Sequence, residues 1–465
     1  MYSRERPPRG IKLTSFMNLI TRRLIAASLI LIFCLSAPIL ILYTAGFRYN
    51  IKKGQLEKAG ALVIKSEPSG ARILLNNEDL KKSTPVRLNN IIPDEYLVSL
   101  EKENYYTWTK NLEVKTQETT FAEDIVLFRE SAPELLTEHN VDWIDFSPGN
   151  KFAVYSVSDF SQDYLYLLNL DNKKSRLLFN DNNLFHNPEI SWSKDDTWIL
   201  FKTNEFAAAI STFLPKQFKN IETKNFNLAP TNFKWNQTEF NALYFQVGNK
   251  IYQQDILLDK AAVIYSPSAD EKVQDYIVYD NAIYIIKQLN QKVLLTKQPM
   301  NQENPIAVNK TIELKNSFYY FDNVLNEKLA LRDQQNNYYY LVAFELDKIV
   351  FNKNQVQNAS LFSKDNLLLL QTDQELSFVN LNDETLRENT ITRYSEGLVD
   401  AKWHTSSNYA LTLHEGKISI IELDNRDGHF FITLPMDNIS KFNLDQDAKA
   451  LIIFKENQLW SVSLK

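Results

Sequence analysis

The chain has 465 residues, 44% hydrophobic and 12% aromatic, which is enough for two or three domains with buried cores and too apolar for global disorder. Its net charge of −6 argues against an electrostatic nucleic-acid binder, so no nucleic acid is expected as a partner. The single cysteine, Cys34, rules out an intrachain disulfide or a thiolate metal cage, and an exported protein without disulfides fits a bacterial or archaeal envelope.

From the N-terminus, residues 1–23 form a basic tail that includes Arg4, Arg6, Arg9, Lys12, Arg22 and Arg23. Leu24–Tyr43 follows as LIAASLILIFCLSAPILILY, 20 uncharged residues that span a ~30 Å hydrocarbon layer as a helix. Pro38 is tolerated inside such a helix, and Tyr43, Phe47 and Tyr49 suit a membrane interface. The excess of Lys and Arg before the run predicts a cytoplasmic tail at 1–23, a single membrane-spanning segment at 24–47 and an extracytoplasmic remainder. The run is longer than a signal-peptide core, and no clean small-residue cleavage site follows it.

Residues 58–129 change character. Ala61–Lys65, Ala71–Leu75, Tyr96–Glu101 and Trp108–Val114 alternate like strands. Between them lie the turn formers Pro68-Ser69-Gly70, Asn76-Asn77-Glu78-Asp79 and Pro93-Asp94. Four or five strands in this space predict a small β-sandwich. The landmarks Ser66-Glu67-Pro68-Ser69-Gly70-Ala71, Ser83-Thr84-Pro85-Val86, Ile92-Pro93-Asp94-Glu95-Tyr96 and Glu103-Asn104-Tyr105 resemble a PEGA domain. Asp94 and Asn104 stand where that family usually has glycine. The resemblance implies a surface-associated module for presentation or binding, without catalytic residues.

Residues 130–465 repeat. An aromatic precedes a polar turn at 146, 192, 235, about 279, 321, 362, 403 and 442, a spacing of 39 to 46 residues, the length of a four-stranded propeller blade. A β run follows most of these turns: FAVYSV, TWILFK, ALYFQV, LLLLQT, YALTLH and ALIIFK. The copies near Tyr279 and Phe321 are weaker. Trp192-Ser193-Lys194-Asp195-Asp196 and Phe146-Ser147-Pro148-Gly149 are similar to the TolB-like, WD40-like propeller repeat. The last unit has three strands, and a fourth from around Ile125–Leu136 would close the ring. Eight blades are favoured, with seven as the alternative, in a mainly all-β chain. With only ten glycines, Asn and Asp must supply most tight turns.

A search for chemistry nominates no catalytic, cofactor-binding or metal-ligating residue and names no ligand-binding residue. No H-E-x-x-H, G-x-S-x-G, Walker or G-x-G-x-x-G motif occurs. Asn443, Asp445 and Asp447 have calcium-loop offsets, but Ala448 and Phe454 replace the required Gly and Glu. Asp424-Asn425-Arg426-Asp427-Gly428 reads as a hairpin turn. The histidines are at 139, 186, 404, 414 and 429, and His404 and His414 flank a strand pair where they could meet. The expectation is a membrane-anchored, non-enzymatic binding or scaffold protein of a prokaryotic cell envelope that recognises protein or cell-wall glycan. The alternative is a propeller hydrolase or lyase acting on envelope polysaccharide.

Overall fold

The computed structural model describes residues 19–465, except 160–161, 182–187, 203–206, 215–217, 222–227, 239–240, 259, 301–309 and 396. The basic residues expected at 4–12 and His186 lie outside the described residues. The chain divides into two compact units. One comprises the residues up to Leu100 with Thr109–Ile125, and the other Glu101–Trp108 with Val126–Lys465.

The first unit opens with one helix, Leu19–Thr44, whose stretch Ile20–Thr44 is long and apolar enough to cross a membrane. At 1.5 Å per residue it is ~39 Å long. It stops at Thr44, one residue past the apolar run Leu24–Tyr43 and short of the bound of 47 expected for the membrane segment, because Gly46 adopts φ +85° and its N–H returns to Tyr43 O at 3.2 Å. That is a left-handed C-terminal cap, which glycine adopts without a Cβ penalty. Arg48 Nη1 donates to Tyr43 O at 2.8 Å and its guanidinium lies 3.8 Å over the Tyr43 ring, which satisfies a helix-end carbonyl. A hairpin follows, Phe47–Asn50 paired with Gln55–Lys58.

Seven further strands form two sheets. Val86–Ile91, Gly60–Glu67 and Thr119–Val126 make one in that order. Glu78–Ser83, Arg72–Leu75, Asp94–Glu101 and Trp108–Val114 make the other. The recurring landmarks converge on one latch. Thr84 Oγ1 lies 2.7 Å from Ser66 Oγ and accepts from Ala71 N at 3.1 Å, while Gly70 N donates to Thr84 O at 2.8 Å.

In the second unit, eight four-stranded antiparallel sheets follow one another among the described residues. Blades 1 to 7 begin with the strands Trp143–Phe146, Glu189–Trp192, Thr231–Trp235, Glu271–Tyr279, Tyr319–Leu325, Asn358–Phe362 and Leu398–Trp403. Blade 8 consists of Ile439–Leu444, Ala450–Lys455 and Gln458–Ser463, completed by Glu134–Leu135 from the other end of the unit. Glu134 pairs with Ser461 and Leu135 with Trp460, flanked by Arg129 N to Leu464 O at 2.9 Å and Leu136 N to Leu459 O at 2.8 Å.

Each blade shares an apolar cluster with the next. Val154 and Leu167 of blade 1 pack with Ile199 of blade 2, and so on around to Leu411 of blade 7 with Ile453 of blade 8. Ile452 and Leu459 of blade 8 pack with Ile144 and Tyr155 of blade 1, so the ring is closed and the sheets form a β-propeller. The second strand of each blade lies between two neighbours. Phe152–Ser158, Ala242–Val247 and Tyr409–His414 are buried on both faces over most of their length, which is why they read as mainly apolar runs. Left-handed turns fall mostly on Asn and Asp. Asp280-Asn281 and Asn326 with Glu327 form two-residue hairpins with positive φ at both positions.

Candidate ligand groove on the propeller

The recurring aromatics are structural ties between first strands. Trp235 Nε1 donates to Ser191 O at 3.0 Å, Trp403 Nε1 to Ser360 O at 3.1 Å, and Trp192 Nε1 to Asp145 Oδ2 at 2.9 Å. Burial pushes the Asp145 carboxyl up, against the opposing hydrogen bond from Trp192 and the charge of Lys441. Asp275, 3% exposed, joins three blades: it accepts from Lys234 Nζ at 2.7 Å, Asn232 Nδ2 at 2.8 Å and Phe321 N at 2.6 Å. A charge buried this way is paired and fully hydrogen-bonded, as burial requires.

The residues weighed for metal or catalytic roles do not assemble. His404 and His414 sit at opposite ends of the strand Tyr409–His414, ~16 Å apart by strand rise, so they do not meet. His404 Nδ1 is 2.9 Å from Ser406 Oγ, and His414 stacks on Tyr394 at 4.2 Å. Asp445 closes its own turn, accepting from Lys449 N at 2.7 Å. Asp424 accepts from Arg426 N at 3.0 Å, and Gly428 takes φ +79° in the same turn. Among the described residues no group of three or more His, Cys, Asp or Glu could hold a metal ion.

Two hollows flank blade 5. The larger, about 660 Å³, opens between blades 5 and 6. Its walls are the turn Asp333–Tyr338, the linker Gln355–Gln357 and the turn Thr372–Gln374, with Tyr320 and Arg332 behind them. The smaller, about 330 Å³, lies between blades 4 and 5 and has Tyr319, Tyr340, Leu331, Val342 and Ile349 in its walls, with Lys315 at one side. Tyr338 lines both hollows and is 37% exposed. The larger falls in the ~300–1,000 Å³ range of small-ligand sites.

Local chemistry makes these walls rigid. Asp333 is 2% exposed and accepts from Ser317 Oγ at 2.5 Å, from Gln335 N and Asn336 N at 3.1 Å, and from Asn336 Nδ2 at 2.8 Å. Burial alone would raise its carboxyl pKa, but these bonds outweigh it and hold the group below the usual value. Arg332 donates Nε to Asp322 at 2.8 Å and Nη1 to Val356 O at 2.5 Å. Burial opposes its charge, and Asp322 more than offsets that. Gln355 N bonds Asn337 O at 2.7 Å and Leu398 N bonds Asp373 O at 2.9 Å. Tyr338 stacks on Tyr340 at 5.7 Å and 21°. Beneath, Lys353 of blade 5 bridges to Glu375 at 2.7 Å and to Glu388 of blade 6. None of these groove residues was nominated from sequence. The available signal was the run Asp333 to Tyr340, DQQNNYYY, where carboxamides and exposed aromatics meet at a hairpin.

Known proteins resemble the chain in parts. No curated protein matches it. Solved structures that align include the mitotic checkpoint complex, at 13% identity over 72% of this chain and 92% of that one, with a TM-score of 0.36. The β-propeller domain of Myceliophteria thermophila Cps50 (Swd1) aligns at 9% identity over 72% and 100%, with a TM-score of 0.40. The Dos1 propeller aligns at 10% identity over 72% and 95%, with a TM-score of 0.46. Residues 59–127 match the PEGA domain, so the chain joins a PEGA domain to a β-propeller behind one long apolar helix.

Proposed function

We propose that this is a single-pass membrane protein of a prokaryotic cell envelope, with its N-terminus in the cytoplasm and its PEGA domain and propeller outside. In this reading it is a non-enzymatic binding or scaffold protein for an envelope protein or cell-wall glycan. The observation that carries the binding role is the preformed polar groove on blade 5, walled by turns on a closed ring. The long apolar helix and the basic residues Arg22 and Arg23 in its N-terminal turns support the placement.

Two measurements test it. Cys34 lies in the helix, so a Cys34→Ser, Asn425→Cys variant carries one thiol, on an exposed propeller turn. A membrane-impermeant maleimide should label it in intact cells; labelling only after permeabilisation would place the propeller inside. The full chain in detergent micelles is then sedimented with purified sacculi and used to capture partners from envelope extract. Saturable association with either one supports binding, and steady turnover of envelope polysaccharide would overturn the non-enzymatic reading.

A further inference from the structure

We propose that the blade 5 groove binds an extended, uncharged polysaccharide strand laid across the ring of Tyr338. This inference rests on the binding reading above and names the ligand class for the same site. Shape is the first argument. Tyr338 belongs to both hollows, so a ligand contacting both must pass over one exposed aromatic ring. A linear polymer does this, and a compact metabolite would fill one hollow alone.

Chemistry is the second argument. Gln334, Asn337, Gln355, Gln357 and Gln374 line the larger hollow, and each carboxamide carries both donor and acceptor. That dual character matches sugar hydroxyls and N-acetyl groups, which also donate and accept. Tyrosine presents an apolar ring face with a polar tip, suited to the C–H face of a pyranose.

Charge is the third. The guanidinium of Arg332 is committed to Asp322 and Val356 O, and Asp333 is committed to four donors. The remaining charges are Asp373 in the larger hollow and Lys315 in the smaller, one of each sign. An anionic polymer would meet no concentrated positive field here. The larger hollow is walled mainly by the turns Asp333–Tyr338 and Thr372–Gln374 and the linker Gln355–Gln357, and the outer strand Lys348–Asn354 borders only the smaller hollow, so a peptide laid across Tyr338 could not extend one ladder along the whole groove. The clamped turns and the Tyr340 ring behind Tyr338 preorganise the site, which limits the entropy lost on binding.

The test uses the full chain in micelles and two probes, hexamers of β-1,4-linked glucose and of β-1,4-linked N-acetylglucosamine, with polygalacturonate as an acidic control. Binding is read by titration calorimetry and by saturation transfer from tyrosine protons to sugar protons. At least one neutral hexamer should bind saturably and polygalacturonate should not. Tyr338→Ala should weaken binding roughly tenfold, the scale of one aromatic contact, while leaving the unfolding midpoint unchanged. Gln355→Ala should weaken it less. A photo-crosslinker at position 338, used in intact envelopes, separates this proposal from the general one. Glycan adducts support it. Protein adducts at 338, or hexamer binding indifferent to Tyr338→Ala, overturn the glycan assignment while leaving the binding role standing. Binding of neither hexamer overturns the inference.

Discussion

Gly149→Ala tests whether the turns of neighbouring blades interlock as described. Gly149 lies in the turn after the first strand of blade 1, and its N–H donates to Asp196 Oδ1 of blade 2 at 2.9 Å. An added Cβ would fall inside contact distance of Asp196 Oδ2 and 3.0 Å from its Cγ. Asp196 is 1% exposed and cannot swing into water. The carboxylate must withdraw by about 1 Å, which forfeits a charge-assisted hydrogen bond and overpacks the turn. Each of these costs about 1–3 kcal/mol, so the expected loss is about 2–4 kcal/mol. The assay is urea unfolding of the full chain in micelles, followed by tryptophan fluorescence. Asp196 itself adopts φ +64°, a region where glycine is unstrained. The double variant Gly149→Ala, Asp196→Gly should therefore recover the overpacking part of the loss, but not the hydrogen bond. A single variant within 0.5 kcal/mol of the parent, or a double variant no better than the single, would refute the reasoning.

Other outcomes follow from the same geometry. Burial raises the Asp196 carboxyl, so its contribution to stability is greatest at low pH and is lost as pH rises through the folded value. Asp196→Asn should then match or exceed the parent at pH 7 and fall behind it at pH 4, read as unfolding midpoints. Asp333 has the opposite sign. Its folded value is lowered, so its stabilisation is present above the unfolded carboxylate range and fades as pH falls through the folded value. Asp333→Asn should cost about 1–3 kcal/mol at pH 7 and progressively less as pH falls below the ordinary carboxylate range, measured the same way. Asp275→Ala strands Lys234 among three blades and should cost about 3 kcal/mol, with a denaturation series as the check. Thr84→Val removes two hydrogen bonds from the PEGA latch and should cost about 1–3 kcal/mol, seen as faster proteolysis within 59–127.

Much of the fold was legible because one physical pattern recurs. Trp192, Trp235 and Trp403 end first strands and tie them together, and the apolar run after each is a strand buried on both faces. The pattern was weakest at Phe321, where a bulge between Phe321 and Asn323 carries the strand on to Leu325. In the PEGA region, Glu78–Ser83 and Val86–Ile91 escaped sequence reading. Both are edge strands; EDLKKS lacks the alternation that burial imposes, and VRLNNI keeps it only over Val86–Asn89. The two departures from the PEGA pattern also acquire reasons. Asn104 takes φ +64°, which its short polar side chain tolerates in place of glycine. Asp94 begins a strand, where glycine is not needed, and pairs with Lys52 at 2.6 Å. The groove was illegible because its walls come from turns some 40 residues apart in sequence, at 333–338 and 372–374, and only the ring brings them side by side.

The two-residue strand Glu134–Leu135 has a consequence for biosynthesis. It emerges before every other propeller strand, yet its partner Gln458–Ser463 is translated after all of them. At ~5–20 residues per second, the interval between them is on the order of 15–70 s. Throughout it, Glu134–Leu135 has no strand to pair with, and the blade 1 face that packs on blade 8 stays uncovered. A chain cut before residue 458 lacks the strand that Glu134–Leu135 pairs with, and its ring stays open.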